Sequence, residues 1–384
     1  MSWSSPYLNQ KLATSGLNIL RSTAPTVFIF VITLYGVQKF SAINWGQIIE
    51  LQMWMYLIVF IAGWGNKDFL LRKYSASPQL IARNFSRSAT TRLFLLVPSL
   101  AFFFFYSAEV AGLVLLIIVV RYVHNSLDSL IIYNKTFKLH LIAEFCSTVI
   151  LLGFLIGSDS FEVSNILMFF LLAETIKTTF ILLRFRNEFQ SLKFDIIHIQ
   201  LAFPFFLIGF SGWIQSRIDM YVIDQMMDTA TLANYRILSN SFLMVQSISA
   251  LAVYPYVKQL YRAKSKTVNQ LSVLVIKLSI PIVVFSTVVI YLIFSNLKEL
   301  ALDPSYYIVA ASGALPAFLY ILDVYQFYKA GKEKIILHLN IIGAIVNLLL
   351  AVLGTYLYGF IGALIANTIS QWLLLIAFKK YKPA

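Results

Sequence analysis

Apolar stretches of eighteen to twenty-five residues recur along this chain, and short polar connections separate them. They fall at 13–36, 45–64, 90–107, 109–133, 140–157, 164–183, 200–223, 232–256, 271–295, 304–328, 333–356 and 358–378. A helix needs ~20 mainly apolar residues to cross the hydrocarbon layer of a bilayer. The pattern therefore predicts an all-α integral membrane protein of about twelve transmembrane helices.

The connections alternate in charge. One set carries Lys67, Arg72, Lys73, Arg83, Arg87 and Arg92, then Lys135 and Lys138, then Arg184, Arg186 and Lys193. It continues with Lys258, Arg262, Lys264 and Lys266, then Lys329, Lys332 and Lys334, and ends in Lys379, Lys380 and Lys382. The other set holds Lys39 and Lys298 among Glu109, Asp159, Glu162, Asp224, Asp228, Glu299 and Asp303. Cytoplasmic loops collect Lys and Arg, so the alternation places both termini in the cytoplasm and predicts an even number of spans. The linker before Ile199 divides the chain into six-helix halves, 1–190 and 191–384, a common transporter plan.

Composition agrees. Of 384 residues, 59% are hydrophobic and only 12% charged, and the mean hydropathy is +0.78. Soluble chains carry about twice that share of charge. The net charge of +13 is thereby accounted for by orientation and contact with anionic membrane lipids. It does not imply nucleic acid. One cysteine, Cys146, excludes an internal disulfide framework. The polar N-terminus lacks a cleavage pattern, so the first span is expected to be retained.

Charges inside the spans carry the chemistry, because each costs ~2.5–3.5 kcal/mol at the bilayer centre unless it faces a bundle interior or a wet cavity. Arg21, Arg121, Asp128, Glu144, Glu174 and Lys177 lie in the first half; Arg217, Asp219, Arg236 and Asp323 lie in the second. Glu174 and Lys177 are three apart and suited to pair. Arg217 and Asp219 sit toward the outer end of their span, where water is expected to reach them. Asp128 is seven residues from Arg121, too far for a direct bond. A permanently charged fork of donors suits phosphate. Arg21, Arg121, Arg217 and Arg236 are therefore candidate substrate-binding residues for an anionic, phosphate-bearing substrate. Pro25, Pro98, Pro204, Pro255, Pro281 and Pro316 invite bends in the spans. Gly153/Gly157 and Gly359/Gly362/Ala366 suggest close helix packing.

No P-loop pattern is present, and no long outer loop exists to carry an active site. His124, His140, His198 and His338 stand apart in sequence, without metal spacing, and read as structural. The expectation is a protein that is not an enzyme and that needs no metal or cofactor.

Two stretches resemble a known family. Gly209-Phe-Ser-Gly-Trp-Ile-Gln-Ser-Arg-Ile-Asp-Met-Tyr-Val-Ile-Asp224, followed by Ala233-Asn-Tyr-Arg-Ile237 and Ala252-Val-Tyr-Pro-Tyr256, is similar to spans 7 and 8 of the polysaccharide (O-antigen type, Wzx-like) flippases. These belong to the multidrug/oligosaccharidyl-lipid/polysaccharide exporter superfamily. Asn340 to Gln371, with Asn347, Gly359, Gly362-Ala363 and Ala366-Asn-Thr-Ile-Ser370, resembles that family's last two spans. Gly65-Asn-Lys-Asp68 and Leu70-Leu-Arg-Lys-Tyr-Ser75 are weaker echoes.

The resemblance implies two six-helix lobes around a central cavity in the bacterial inner membrane. It implies alternating access that moves an undecaprenyl-diphosphate-linked oligosaccharide from the cytoplasmic to the periplasmic leaflet. On that implication Arg21, Arg121, Arg217 and Arg236 contact the diphosphate or sugar acids, and Asp128, Glu174 or Asp323 takes up a coupling proton or cation. Partners implied are the lipid-linked substrate and a polysaccharide polymerase or glycosyltransferases of the same pathway. The rival readings are a cation-coupled multidrug exporter, a membrane polysaccharide polymerase and a non-transporting scaffold.

Overall fold

The computed structural model describes residues 6–189, 193–253, 265–297 and 302–381. The cations Lys258, Arg262, Lys264, Lys298 and Lys382, together with Pro255, Glu299 and the expected divide at 190/191, lie outside them. Among the described residues every regular element is helical. The helices are α1 (Pro6–Phe40), α2 (Ala42–Gly63), α3 (Asn66–Ala76), α4 (Ile81–Arg92), α5 (Phe102–Phe105), α6 (Ala108–Tyr133) and α7 (Phe137–Gly157). They continue with α8 (Val163–Arg184), α9 (Ile197–Gln215), α10 (Ile218–Met226), α11 (Thr229–Val253), α12 (Ser265–Ser295), α13 (Pro304–Lys329) and α14 (Glu333–Lys380).

Among the described residues, ten stretches are helical, long and apolar enough to cross a membrane. Their outward surfaces expose large apolar side chains, with Phe104 at 87%, Phe105 at 80% and Phe285 at 72%. In water such a surface would drive aggregation; against lipid tails it costs nothing. This is a multi-pass membrane protein. Helix α11 has the length of a span but a more polar composition, with Arg236, Asn234 and several serines.

Helix α14 holds two of the expected spans. Gly359 breaks it at φ 59°, ψ −138°, a conformation open to glycine and strained for other residues. The break folds the two segments together so closely that a Cβ on Gly362 would sit 1.9 Å from the Gly354 carbonyl oxygen. Small residues here permit the backbone contact expected from the sequence. Gly153 and Gly157 depart from that expectation: nothing lies within 4 Å of where their Cβ atoms would be.

Two expected spans are interrupted. The third, expected at 90–107, runs as a 3₁₀ helix over Leu93–Ala101 around Pro98, which supplies no backbone donor. The seventh, expected at 200–223, stops at Gln215 and restarts at Ile218, leaving Ser216 and Arg217 at the break. Arg92, counted above among the surface cations, is buried. Its Nη1 donates to the carbonyls of Ala62 at 2.9 Å and Gly63 at 3.1 Å, its Nε to the Ser88 carbonyl at 3.1 Å, and its Nη2 to Ser126 Oγ at 3.0 Å. A guanidinium at the C-terminus of α2 satisfies carbonyls that have no intrahelical donor, and complements the helix dipole.

By packing, the chain divides into two units. One contains Met1–Ile32 and Gln47–Phe210, the other Thr33–Gly46 and Ser211–Ala384. The first is centred on Phe69, Leu70, Tyr74, Phe85, Leu127, Leu130 and Ile131, with α8 packed against both α6 and α7. In the second, Phe327, Ile336, Leu339, Leu374 and Phe378 join α13 to the two ends of α14.

Candidate functional site

The charged residues expected inside the first-half spans are brought together in the N-terminal unit. Arg21, from α1, donates from Nη1 to Asp128 Oδ1 on α6 at 2.7 Å and from Nε to Asn18 Oδ1 at 3.3 Å. Arg121, also on α6, donates from Nε to Glu174 Oε1 on α8 at 3.0 Å. Lys177 Nζ lies 2.7 Å from Glu174 Oε2, one turn away on the same helix, and 3.3 Å from Glu144 Oε1 on α7. The pairing of Glu174 with Lys177 follows from their spacing in sequence. The partner of Arg21 is Asp128, the acid too distant from Arg121 along α6; the fold supplies Glu174 to Arg121 instead.

Three cations and three carboxylates thus balance. Balance matters here, because an uncompensated charge at such a site costs several kcal/mol. One part of the network keeps spare capacity. Arg121 lies 4.7 Å over the Tyr56 ring, and its buried Nη1 and Nη2 make no hydrogen bond. Its partners Tyr56 and Glu174 line a cavity of about 60 Å³, together with Glu144, Ser147, Thr148 and Lys177 on the polar side and Phe28 and Phe170 on the apolar side. That volume admits several waters, since one needs roughly 10–15 Å³. The arrangement is a small pocket in which an ammonium meets two carboxylates, and the Arg121 guanidinium, with unspent donors, holds one of those carboxylates from outside the lining.

In the C-terminal unit, Arg217 sits at the α9/α10 break, with its guanidinium 5.9 Å from the Trp213 ring. Arg236 is buried on α11. Asp323, 2% exposed, is met by Lys379 Nζ at 2.7 Å. Asp219 corrects the sequence reading of a wet helix end, because it is fully buried. Its carboxylate accepts from the Tyr235 hydroxyl and, at 3.0 Å, from Asn367 Nδ2. Asn347, one of the residues that carried the family resemblance, donates from Nδ2 to the Gln215 carbonyl at 3.0 Å, capping the interrupted helix.

Comparison of the whole fold with solved structures finds long, distant likenesses. The lipid II flippase MurJ, in an inward closed conformation, superposes with a TM-score of 0.77 at 14% identity, covering 94% of this chain and 86% of that one. An inward-facing multidrug resistance MATE transporter of the MOP superfamily gives 0.63 at 14% identity, covering 95% and 99%. A point mutant of the Vibrio cholerae MATE transporter VcmN gives 0.55 at 15% identity, covering 97% and 96%. The fold is the one these transporters share. No protein-family model matches the sequence, and no curated protein matches it.

Sequence reasoning missed one grouping. His124 and His140, taken as isolated, have ring centroids 5.4 Å apart, and each Nε2 lies 3.8 Å from Glu144 Oε1. Folding α6 and α7 symmetrically about their turn would pair His140 with a residue near 130, so hairpin register gives no hint of His124. The spacing of His140 and Glu144, one turn apart on α7, was the available signal.

Proposed function

We propose that this chain is a lipid-linked oligosaccharide flippase that moves undecaprenyl-diphosphate-linked repeat units of the O-antigen or capsule type between leaflets by alternating access. The observation that carries the reading is the fold held in common with the lipid II flippase MurJ over 94% of the chain. The superposition is better there than on the multidrug transporters, at 0.77 against 0.63 and 0.55. The same comparison supports a lipid-borne substrate.

The residues agree with an anionic headgroup. Arg121 holds two buried donor nitrogens with no protein acceptor, and charge-assisted bonds to phosphate are the strongest use of such a fork. On this reading Arg21, Arg121, Arg217 and Arg236 contact diphosphate or acidic sugars, and Asp128, Glu174 or Asp323 carries the coupling proton or cation. The pathway's polymerase and glycosyltransferases are its functional partners, and the bacterial inner membrane is its location.

Cation-coupled drug export is the second reading. It is favoured by the two carboxylates, Glu144 and Glu174, that line the N-terminal pocket beside aromatic rings. The two are separated in cells lacking the chain. An impermeant glycosidase or lectin reports which leaflet holds the lipid-linked oligosaccharide, and growth in cationic drugs reports export. Accumulation on the cytoplasmic side, reversed by the wild-type chain, supports the flippase. Unchanged outer exposure together with new drug sensitivity overturns it.

A further inference from the structure

His124 on α6 and His140 and Glu144 on α7 close around one point in the N-terminal unit. One donor atom from each lies within 4.8 Å of the other two. At 3.8 Å from Glu144 Oε1, neither Nε2 is in hydrogen-bond range of the carboxylate. The Nδ1 atoms of both rings are buried and make no hydrogen bond. Two imidazoles turned toward one carboxylate, with a gap between them, are poorly satisfied as a polar core, and polar groups buried in this way are costly. As a ligand set they are coherent.

We propose that His124, His140 and Glu144 bind a borderline divalent transition ion, with Zn²⁺ as the type case. Two nitrogen donors and one carboxylate match the preference of Zn²⁺ for three protein ligands and a fourth, open position. Tetrahedral bonds of ~2.0–2.2 Å bring donors to roughly 3.3 Å of each other. The cluster then needs to tighten by at most about 1.5 Å, within reach of side-chain rotation. Glu144 also lines the 60 Å³ cavity, which has room for a water beside its carboxylate.

The competitor is Lys177, whose ammonium lies 3.3 Å from Glu144 Oε1. A bound ion draws Glu144 away from it. Lys177 keeps its closer partner, Glu174, at 2.7 Å. Metal binding is thereby tied to the Arg121–Glu174–Lys177 network and becomes a means of biasing it. The site stands whether or not the chain flips a lipid.

The test uses the full chain, purified without a polyhistidine tag, stripped with chelator and offered Co²⁺ or Zn²⁺ in micelles. The wild type is expected to take up one equivalent, with Co²⁺ showing the d–d absorption of a low-symmetry nitrogen–oxygen site and Zn²⁺ displacing it. His124→Asn and His140→Asn are expected to lose that equivalent, and Lys177→Met to bind more tightly. Melting curves without metal show which variants are folded. X-ray absorption at the zinc edge of the wild type alone reports the ligands directly, two imidazoles with oxygen. No uptake by the wild type, unchanged uptake in both folded histidine variants, or an absorption shell without imidazole overturns the proposal.

Discussion

Replacing Glu174 with Gln removes the carboxylate that holds two buried cations, and the cost can be worked from the geometry. Arg121 Nε is 3.0 Å from one oxygen and Lys177 Nζ 2.7 Å from the other. At an effective dielectric near 20, unit charges ~4 Å apart attract by about 4 kcal/mol, so two such attractions vanish. The carboxylate's own desolvation, several kcal/mol, is relieved at the same time. What remains is one excess cation, since Arg121 and Lys177 then share Glu144. Breaking a buried pair in this way costs about 3–5 kcal/mol. Arg121→Met leaves one excess anion and is expected to cost a similar amount. The double variant leaves Lys177 with Glu144, a neutral pair, so its cost should fall well short of the sum. A coupling energy of about 2–3 kcal/mol is expected, against the ~0.5 kcal/mol within which independent sites add. The assay is equilibrium unfolding of wild type, both single variants and the double variant in mixed micelles, followed by tryptophan fluorescence. Single variants that each cost under about 1 kcal/mol, or costs that simply add, would refute the buried-network argument.

Three further outcomes follow from particular contacts. Tyr235→Phe removes a hydroxyl donor from the fully buried Asp219; a loss of about 1–3 kcal/mol is expected in the same unfolding assay, with Asp219→Asn largely restoring it. Gly362→Ala places a methyl group against the Gly354 carbonyl, and Gly359→Ala strains a left-handed kink; both should lower the melting temperature, whereas Gly153→Ala, in open space, should leave it unchanged. Asp228 accepts from the Thr231 backbone N–H at 2.8 Å at the start of α11, and this bond holds its carboxyl below the usual range. Asp228→Ala should cost ~1 kcal/mol. Because the folded-state value is the lower one, the stabilisation is present above the unfolded value of about 4 and is lost as pH falls below it.

Most of the fold was legible because the bilayer imposes one rule, continuous apolar helices, on nearly every residue. The division of the last long helix was legible from two apolar runs, expected to part near 357, although Gly359 reads there as a packing residue and the break falls on it. The breaks at Leu93–Ala101 and at Ser216–Arg217 could not, because hydropathy averages over a window and does not register a change of helix type. The buried role of Arg92 was hidden for a related reason: its position just before an apolar run is also where a cytoplasmic cation belongs. In the candidate site, the i,i+3 pair Glu174/Lys177 was visible from helix geometry. Arg21–Asp128 and Arg121–Glu174 join different helices, so their pairing depends on crossing angles that periodicity does not encode. His124 met His140 for the same reason.

The most direct test of the central claim is transbilayer movement in a purified system. Proteoliposomes holding only this chain and a fluorescent undecaprenyl-diphosphate oligosaccharide are treated with an impermeant glycosidase. A flippase makes the inner-leaflet share of the substrate cleavable, with Arg121→Lys slower than wild type at equal reconstitution. Cleavage that stops at the outer-leaflet share, as in protein-free vesicles, would contradict the account, most clearly if the same vesicles transport a cationic dye.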